Sequence, residues 1–189
     1  MRFVLKKARE YDPDPGHNEI VTDLALRLFD GLRGLHGYGP KERRLLEIAG
    51  RLHDIGWSQV VSGKHHKFSG RLILDLAIPR VDKQDHAVVS LIARYHSKAV
   101  PDPSRHRKFA ALAAGDRERV EWLAGILRVA DSFDTSHLRN VRELECAAGR
   151  KYITIRLGAS GDCRAELERA REKEDLLERV AGRKIRYLC

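Results

Sequence analysis

The chain has 189 residues, with 36 lysines and arginines against 27 aspartates and glutamates, which gives a formal net charge of +9. Its 42% apolar content is enough to bury the core of one domain and a small appendage, and this excludes a disordered chain. Because there is no apolar run of eighteen residues and no leader at the N-terminus, we expect a soluble, cytoplasmic protein without a membrane span.

Helical periodicity dominates residues 1–140. A short entry segment, residues 1–14, leads through Pro15 and Gly16 into a series of segments in which apolar residues recur every three or four positions. Glycines and prolines separate these segments, and the glycine-rich loop after the first one carries an exposed His36. The predicted helices cover 17–32, 40–53, 64–77, 82–95, 109–113 and 116–131, with a connecting loop at 57–63 and another at 99–106.

The pattern changes at Val141. Residues 141–146 and 152–157 alternate apolar and polar side chains around a turn at 148–150, and a helix over 164–180 ends at Gly182 before a last strand at 184–188. We therefore predict a mainly α fold, with a helical bundle over 1–140 and a small α+β subdomain of ββαβ order over 141–189. The edge of the strand at 152–157 leaves pairing into a homo-oligomer open.

His53 and Asp54 are adjacent residues whose side chains can both bind a metal ion. They directly follow a stripe of apolar residues with helical spacing, which includes Leu45, Ile48 and Leu52. Imidazole with a carboxylate suits Mn, Fe, Co, Ni or Zn, and the carboxylate also suits Mg. The same dipeptide fits an ordinary helix C-terminus, where His favours the negative end of the dipole and Asp caps the next turn.

Further histidines and an aspartate lie at the ends of other predicted helices, at His17, His65-His66, His96 and Asp131. This order resembles the HD-domain superfamily of metal-dependent phosphohydrolases, in which a helical bundle gathers such residues around one or two divalent ions. The resemblance implies two donor sets: a first ion held by His17, His53, Asp54 and Asp131, and a second, optional ion held by Asp54 as a bridge with His66 and His96.

Several segments are more specifically similar to the C-terminal half of the exopolyphosphatase and guanosine pentaphosphate phosphatase (Ppx/GppA) family. They are residues 63–69, 94–99, 128–137 and the tail at 173–185. The actin-like half of that family, which carries its established hydrolytic site, is missing from these 189 residues. In many long members the helical half has lost metal positions, whereas this chain retains each of them, which favours a free-standing domain with its own chemistry.

The resemblance implies a phosphohydrolase that cleaves a phosphate ester or anhydride in a nucleotide, alarmone or polyphosphate. An ion in such a site activates water for attack on phosphorus. Asp134 is a candidate for orienting a ligand histidine or a substrate hydroxyl. We predict Asp54, His53, Lys64 and His65 as catalytic residues, and Lys64, His65, Arg94, Lys98 and Arg139 as ligands of substrate phosphate.

One other interpretation of the domain's function remains open. The domain could instead be a non-catalytic regulatory module that binds a polyanion or nucleotide, since its net positive charge attracts polyanions.

The basic segment with Arg105, Arg107 and Lys108 fits either a loop that closes over a phosphorylated substrate or solvated surface. A nucleic acid is not expected as a partner, because the basic residues are not gathered with aromatic ones.

The three cysteines are Cys146, Cys163 and Cys189, and none of them forms a Cys-x-x-Cys pair. Their odd number and wide spacing argue against both a disulfide framework and a thiolate zinc site. We therefore expect free thiols in a reducing compartment.

Overall fold

The computed structural model describes residues 1–60 and 63–189 of the chain. Within these ranges the fold is mainly α with a small three-stranded sheet, so the predicted fold class is confirmed. No helix among the described residues is both long and apolar enough to cross a bilayer. The elements are α1 (Arg2–Tyr11), α2 (Pro15–Gly31), α3 (Arg33–His36), α4 (Pro40–Leu52), a 3-10 helix (Ile55–Gln59), α5 (His65–Asp75), α6 (Lys83–Tyr95), α7 (Arg107–Ala110), α8 (Ala114–Ser132), β1 (Val141–Ala148), β2 (Tyr152–Ala159), α9 (Arg164–Lys173), α10 (Asp175–Ala181) and β3 (Lys184–Leu188).

The bundle is built on α2, α4, α6 and α8, which pack against one another around a continuous apolar core. Leu28, Leu52 and Leu127 are fully buried there, and burying each such side chain stabilises the fold by roughly 1.5–3 kcal/mol. The same core continues to Val141 and Ile153 of the sheet. The helices are therefore fixed along their lengths, and their ends are held in defined positions.

The C-terminal part has the predicted ββαβ order. β1 and β2 form an antiparallel hairpin, and β3 pairs in parallel with β2, with Ile185 opposite Ile153. The helix predicted over 164–180 divides at Glu174 into α9 and α10, and both of them pack against α8. This packing brings the end of α9 close to the end of α8. The division into domains at 140/141 stays a prediction.

Three local predictions differ from the structure. The entry segment forms α1, because Val4 and Ala8, one helical turn apart, are buried against the bundle. His36 is half-buried rather than exposed, and its Nε2 lies 2.9 Å from the carbonyl oxygen of Phe29. The predicted connecting loop at 57–63 begins within the 3-10 helix, and its residues 61 and 62 lie outside the described residues.

The expectation of three free thiols is wrong for two of them. Cys163 and Cys189 form a disulfide with an S–S distance of 2.11 Å, although they are 26 residues apart. The pairing arises because the sheet brings the end of the chain next to the start of α9, which the spacing of the cysteines does not reveal. Among the described residues Cys146 is free, and burial raises the pKa of its thiol to about 12.

Gly56 allows a close approach between the 3-10 helix and α5. Its N–H donates to Ser69 Oγ at 2.9 Å, and a Cβ at this position would overlap the carbonyl oxygen of His65 and lie 2.5 Å from Ser69 N. Because both obstacles are backbone atoms, we expect Gly56→Ala to lower stability by about 1–3 kcal/mol. Thermal unfolding checks this, with Gly34→Ala as the control because its Cβ would meet open space. Equal melting temperatures for the two variants would contradict the prediction.

Candidate metal centre

The ends of the bundle helices bring together six side chains of the types that can bind a metal ion. His17 lies in the first turn of α2, where the carboxylate of Asp14 accepts a hydrogen bond from the His17 backbone N–H at 3.2 Å. The other five follow or begin helices in the same way: His53 and Asp54 after α4, His65 at the start of α5, His96 after α6, and Asp131 in the last turn of α8.

Hydrogen bonds fix the orientation of three of the imidazoles. His53 and His96 share one local arrangement, in which Nδ1 contacts the carbonyl oxygen three residues earlier, at 2.7 and 2.6 Å. Nδ1 of His17 lies 2.8 Å from Asp134 Oδ2, so Asp134 orients the ring of this histidine. A neutral ring that donates through Nδ1 has its lone pair on Nε2. All three rings therefore present Nε2 to the centre.

The first donor set surrounds one oxygen of Asp54. Asp54 Oδ2 lies 3.9 Å from His17 Nε2 and 3.8 Å from His53 Nε2, and Asp131 Oδ1 lies 3.4 Å from each of these nitrogens. Two atoms bonded to one ion at about 2.1 Å with a tetrahedral angle are about 3.4 Å apart. The spacing of these four atoms is therefore close to that of a ligand set.

A second donor set surrounds the other oxygen of the same carboxylate. Asp54 Oδ1 lies 3.4 Å from His65 Nε2 and 3.4 Å from His96 Nε2, and these two nitrogens are 3.2 Å apart. The two oxygens of Asp54 thus face two different sets of donors. This is the arrangement of a bridging carboxylate.

The structure places His65, not His66, beside Asp54 and His96. Among the described residues His66 joins no group of candidate metal donors, and the centroid of its ring is 6.5 Å from that of His96. Adjacent residues on a helix point about 100° apart, so only one of the two can face the centre. His65, predicted to bind substrate, takes the position that the resemblance gave to His66.

In the first donor set His17 is protonated at neutral pH, so a bound cation would have to displace its proton. Burial alone would lower the pKa of His17, but the carboxylates of Asp131 and Asp134 raise it to about 10. Burial alone would raise the pKa of Asp131, but the charge of Lys173 and the imidazole of His17 hold it well below 3.8. At neutral pH this set therefore pairs a carboxylate with a protonated imidazole.

In the second donor set a bound cation would have no proton to displace at neutral pH. Burial, together with the charge of His53, lowers the pKa of His96 well below its ordinary value, and burial also lowers the pKa of His65. Burial would raise the pKa of Asp54, but the charge of His53 lowers it. Two neutral imidazoles and a carboxylate therefore face one another at pH 7.

The centre opens into a cavity of about 140 Å³. This is smaller than the roughly 300 Å³ at which pockets for drug-sized ligands begin, and it suits a phosphoryl group rather than a whole nucleotide. The Trp57 ring stacks on His65 at 4.2 Å, and the His137 ring stacks on His17 at 4.3 Å. The lining residues are His17, Asp54, Trp57, His65, His96, Ser97, Asp131, Thr135, His137, Arg169 and Lys173.

Sequence reasoning missed two cations of this cavity, Arg169 and Lys173 of α9. Lys173 Nζ lies 2.6 Å from Asp131 Oδ2 with both side chains largely buried, and Arg169 donates to Glu172 at 2.6 Å. Their i, i+4 spacing places them on one face of the helix. That spacing is visible in the sequence, but the packing of α9 on the end of α8 is not.

Most of the predicted phosphate ligands lie elsewhere. Lys64 is exposed at the N-cap of α5, and Arg94 and Lys98 line a neighbouring cavity. The Arg139 guanidinium donates to Asp14, 2.5 Å away. Of this predicted set, His65 is the one that the structure brings into the cavity of the metal centre.

Comparison with known proteins agrees with the closer of the two resemblances. The family model described as Ppx/GppA phosphatase, domain III, matches residues 1–168. This range includes every residue of the two donor sets but not Arg169 or Lys173. No curated protein matches the chain. The wider relation to the HD-domain superfamily stays a prediction, but the match spans most of the sequence, and the chain belongs to the Ppx/GppA phosphatase domain III family.

Proposed function

We propose that this domain is a metal-dependent phosphohydrolase of the HD type, which cleaves a phosphate ester or anhydride in a nucleotide, alarmone or polyphosphate. The observation that carries the proposal is the position of Asp54, whose two oxygens face two sets of imidazole and carboxylate donors. Membership of a phosphatase family supports the substrate class.

The residues fit a divalent ion. His53 Nε2 and Asp54 Oδ1 are buried and have no hydrogen-bond partner in the described part of the chain, which is costly unless another ligand satisfies them. Such donors suit Mn, Fe, Co, Ni or Zn, and the carboxylates also suit Mg. We assign His17, His53, Asp54 and Asp131 to a first ion, and Asp54, His65 and His96 to a second, optional one.

A divalent ion bound here would lower the pKa of a water molecule to near neutrality and offset the negative charge of the phosphoryl oxygens. The chain's own residues do the rest. Lys173 and Arg169 offer positive charge to phosphoryl oxygens from the α9 side of the cavity. Asp134 holds the ring of His17 in place, and the rings of Trp57 and His137 cover two of the donor histidines. Lys64 stays a prediction without a contact in the cavity.

Elemental analysis of protein purified without added metal or chelator tests the proposal, together with phosphate release from a panel of nucleotides, guanosine alarmones and inorganic polyphosphates. We expect a stoichiometric transition metal and hydrolysis of at least one compound class. If the protein holds no metal even after incubation with Mn²⁺, the proposal fails. A metal-loaded protein that binds polyanions without hydrolysing any of them would favour the non-catalytic binding module.

Two neighbouring histidines provide a matched pair of variants. We expect His65→Ala to weaken binding of the second ion about 10- to 100-fold or more, because the set loses one of three donors. His66→Ala should keep the metal content of the wild type, since His66 faces away from Asp54. Isothermal titration calorimetry with Mn²⁺ measures the number of bound ions and their affinity in both variants. If only His66→Ala lost the second ion, His66 rather than His65 would be its ligand, as the resemblance implied.

A further inference from the structure

Two donor histidines, His53 and His96, share one ring arrangement but follow different backbone paths. Both are buried, and in both the ring N–H at Nδ1 donates to the carbonyl oxygen three residues earlier. After His53 the chain continues as a 3-10 helix, in which the N–H of Trp57 donates to Asp54 O at 3.0 Å. After His96 the chain bends away from α6 and reaches Lys98 in the left-handed region, at φ 54°. The turn after α6 therefore depends on contacts from other elements.

The side chain of Arg128, on α8, supplies these contacts. The residue is 3% exposed, and its Nη1 donates to the carbonyl oxygens of Tyr95 at 3.2 Å and of Lys98 at 3.3 Å. These two carbonyl groups flank His96 in the sequence. The first lies in the last turn of α6, where carbonyl groups have no partner within the helix and carry the negative end of its dipole. The second belongs to the left-handed residue, a conformation that persists in a residue with a Cβ when neighbouring contacts hold it.

Arg128 is also tied to the other side of the metal centre. Its Nη2 donates to Asp175 Oδ1 at 3.3 Å, and Asp175 begins α10, two residues after Lys173. On α8 itself, Arg128 lies one helical turn before Asp131. One buried guanidinium therefore contacts both the segment that carries His96 and the segment that carries the ion-pair partner of Asp131.

Stability alone does not account for a buried charge at this place. The carboxylate of Asp175 is 60% exposed, and Nε of Arg128 has no partner within the described part of the chain. A well-packed apolar side chain would stabilise a bundle core at least as well as such a charge. An apolar side chain could not, however, bond the two carbonyl groups on either side of His96.

We propose that Arg128 is a positioning residue of the metal centre, which holds the turn after α6 so that His96 faces Asp54 and His65. In this position His96 Nε2 lies 3.4 Å from Asp54 Oδ1 and 3.2 Å from His65 Nε2. The hydrogen bond to Ala93 O restrains one edge of the ring, and Arg128 restrains the backbone that carries it. For binding of the second ion the inference rests on the proposed function.

The position of His96 can be measured without metal, by NMR of the histidine ring N–H protons in EDTA. A buried ring N–H that donates to a carbonyl oxygen exchanges slowly with water, and His53→Gln and His96→Gln assign the two signals. We expect Arg128→Met to lose the His96 signal and to keep that of His53, which the 3-10 helix supports. The control is Leu127→Ala, a fully buried neighbour on α8, which should keep both signals although it too lowers stability.

Isothermal titration calorimetry with Mn²⁺ measures the consequence for the second donor set. We expect Arg128→Met to weaken the second ion about 10- to 100-fold, the usual effect of removing a group that orients a ligand. The first ion should change by less than about threefold. Asp175→Ala leaves both carbonyl contacts in place and should bind both ions like the wild type. If Arg128→Met does not fold, Arg128→Lys serves the same test, because its ammonium ends one bond short of Nη1.

A His96 signal that survives in the Arg128 variant would overturn the proposal, and so would loss of both ring signals together. Equal weakening of the second ion in Leu127→Ala would overturn it as well, since lost stability alone would then explain the effect. Equal weakening in Asp175→Ala would show that the link to α10 matters instead. A wild-type protein that binds no ion, with a His96 signal that depends on Arg128, would support the positioning role and refute the proposed function alone.

Discussion

Asp54→Ala should abolish hydrolysis while the protein remains folded. Asp54 is the one residue shared by both donor sets, so its loss removes an oxygen from each. Losing the ion removes several kcal/mol of transition-state stabilisation, and about 4 kcal/mol corresponds to a 1,000-fold lower rate. We therefore expect at least this reduction in kcat/KM, together with loss of bound metal in elemental analysis.

The control is Asp75→Ala, an exposed carboxylate at the end of α5 that should leave metal content and rate unchanged. Asp54→Ala protein that keeps its metal and its activity would refute the assignment of the centre.

The helical part of the fold and the positions of most donors follow from local pattern. The stripe before His53 fixes the buried face of α4, and a helix that ends there must deliver His53 and Asp54 together. His17, His96 and Asp131 sit at helix ends in the same way. Their positions at helix ends could be predicted because helix periodicity and end signals are encoded within about twenty residues, whereas their choice as metal ligands followed from the resemblance to HD-domain proteins.

The choice between His65 and His66 could not be predicted in that way. It depends on where α5 begins, and a shift of one residue rotates the side chain by about 100°. The start of α5 also depends on its close approach to the 3-10 helix at Gly56, and this contact is a property of the tertiary structure. The contributions of α9 were missed for a related reason: Lys173 meets Asp131 across 42 residues, through packing that no local pattern encodes. The pairing of Cys163 with Cys189 belongs to the same class.

The ion pair of Lys173 with Asp131 yields a prediction that tests the metal centre through stability rather than activity. Both side chains are largely buried, with relative exposures of 7% and 14%, and their charged atoms are 2.6 Å apart. Removing one partner of a buried pair costs about 3–5 kcal/mol. We expect a cost near about 3 kcal/mol here, because the protonated His17, 3.4 Å from Asp131, still offsets part of the charge of the carboxylate. For a chain of this size, Lys173→Met should lower the melting temperature of metal-free protein by roughly 6–12 °C.

Arg164→Met is the control, because Arg164 is 85% exposed and pairs with Asp162, which is itself 59% exposed. Exposed pairs contribute at most about 1 kcal/mol, so its melting temperature should change little. The pKa of Asp131 is held below 3.8, so its stabilisation is present at neutral pH and is lost as the pH falls below that value. The comparison therefore belongs at pH 7.

Saturating Mn²⁺ should narrow the difference between wild type and Lys173→Met. If Asp131 is a ligand of the first ion, the bound cation supplies the positive charge that the variant lacks beside this carboxylate. The gap in melting temperature should then shrink by at least about half. A gap that Mn²⁺ leaves unchanged would show that Asp131 does not contact the ion, and the first donor set would lose its second carboxylate.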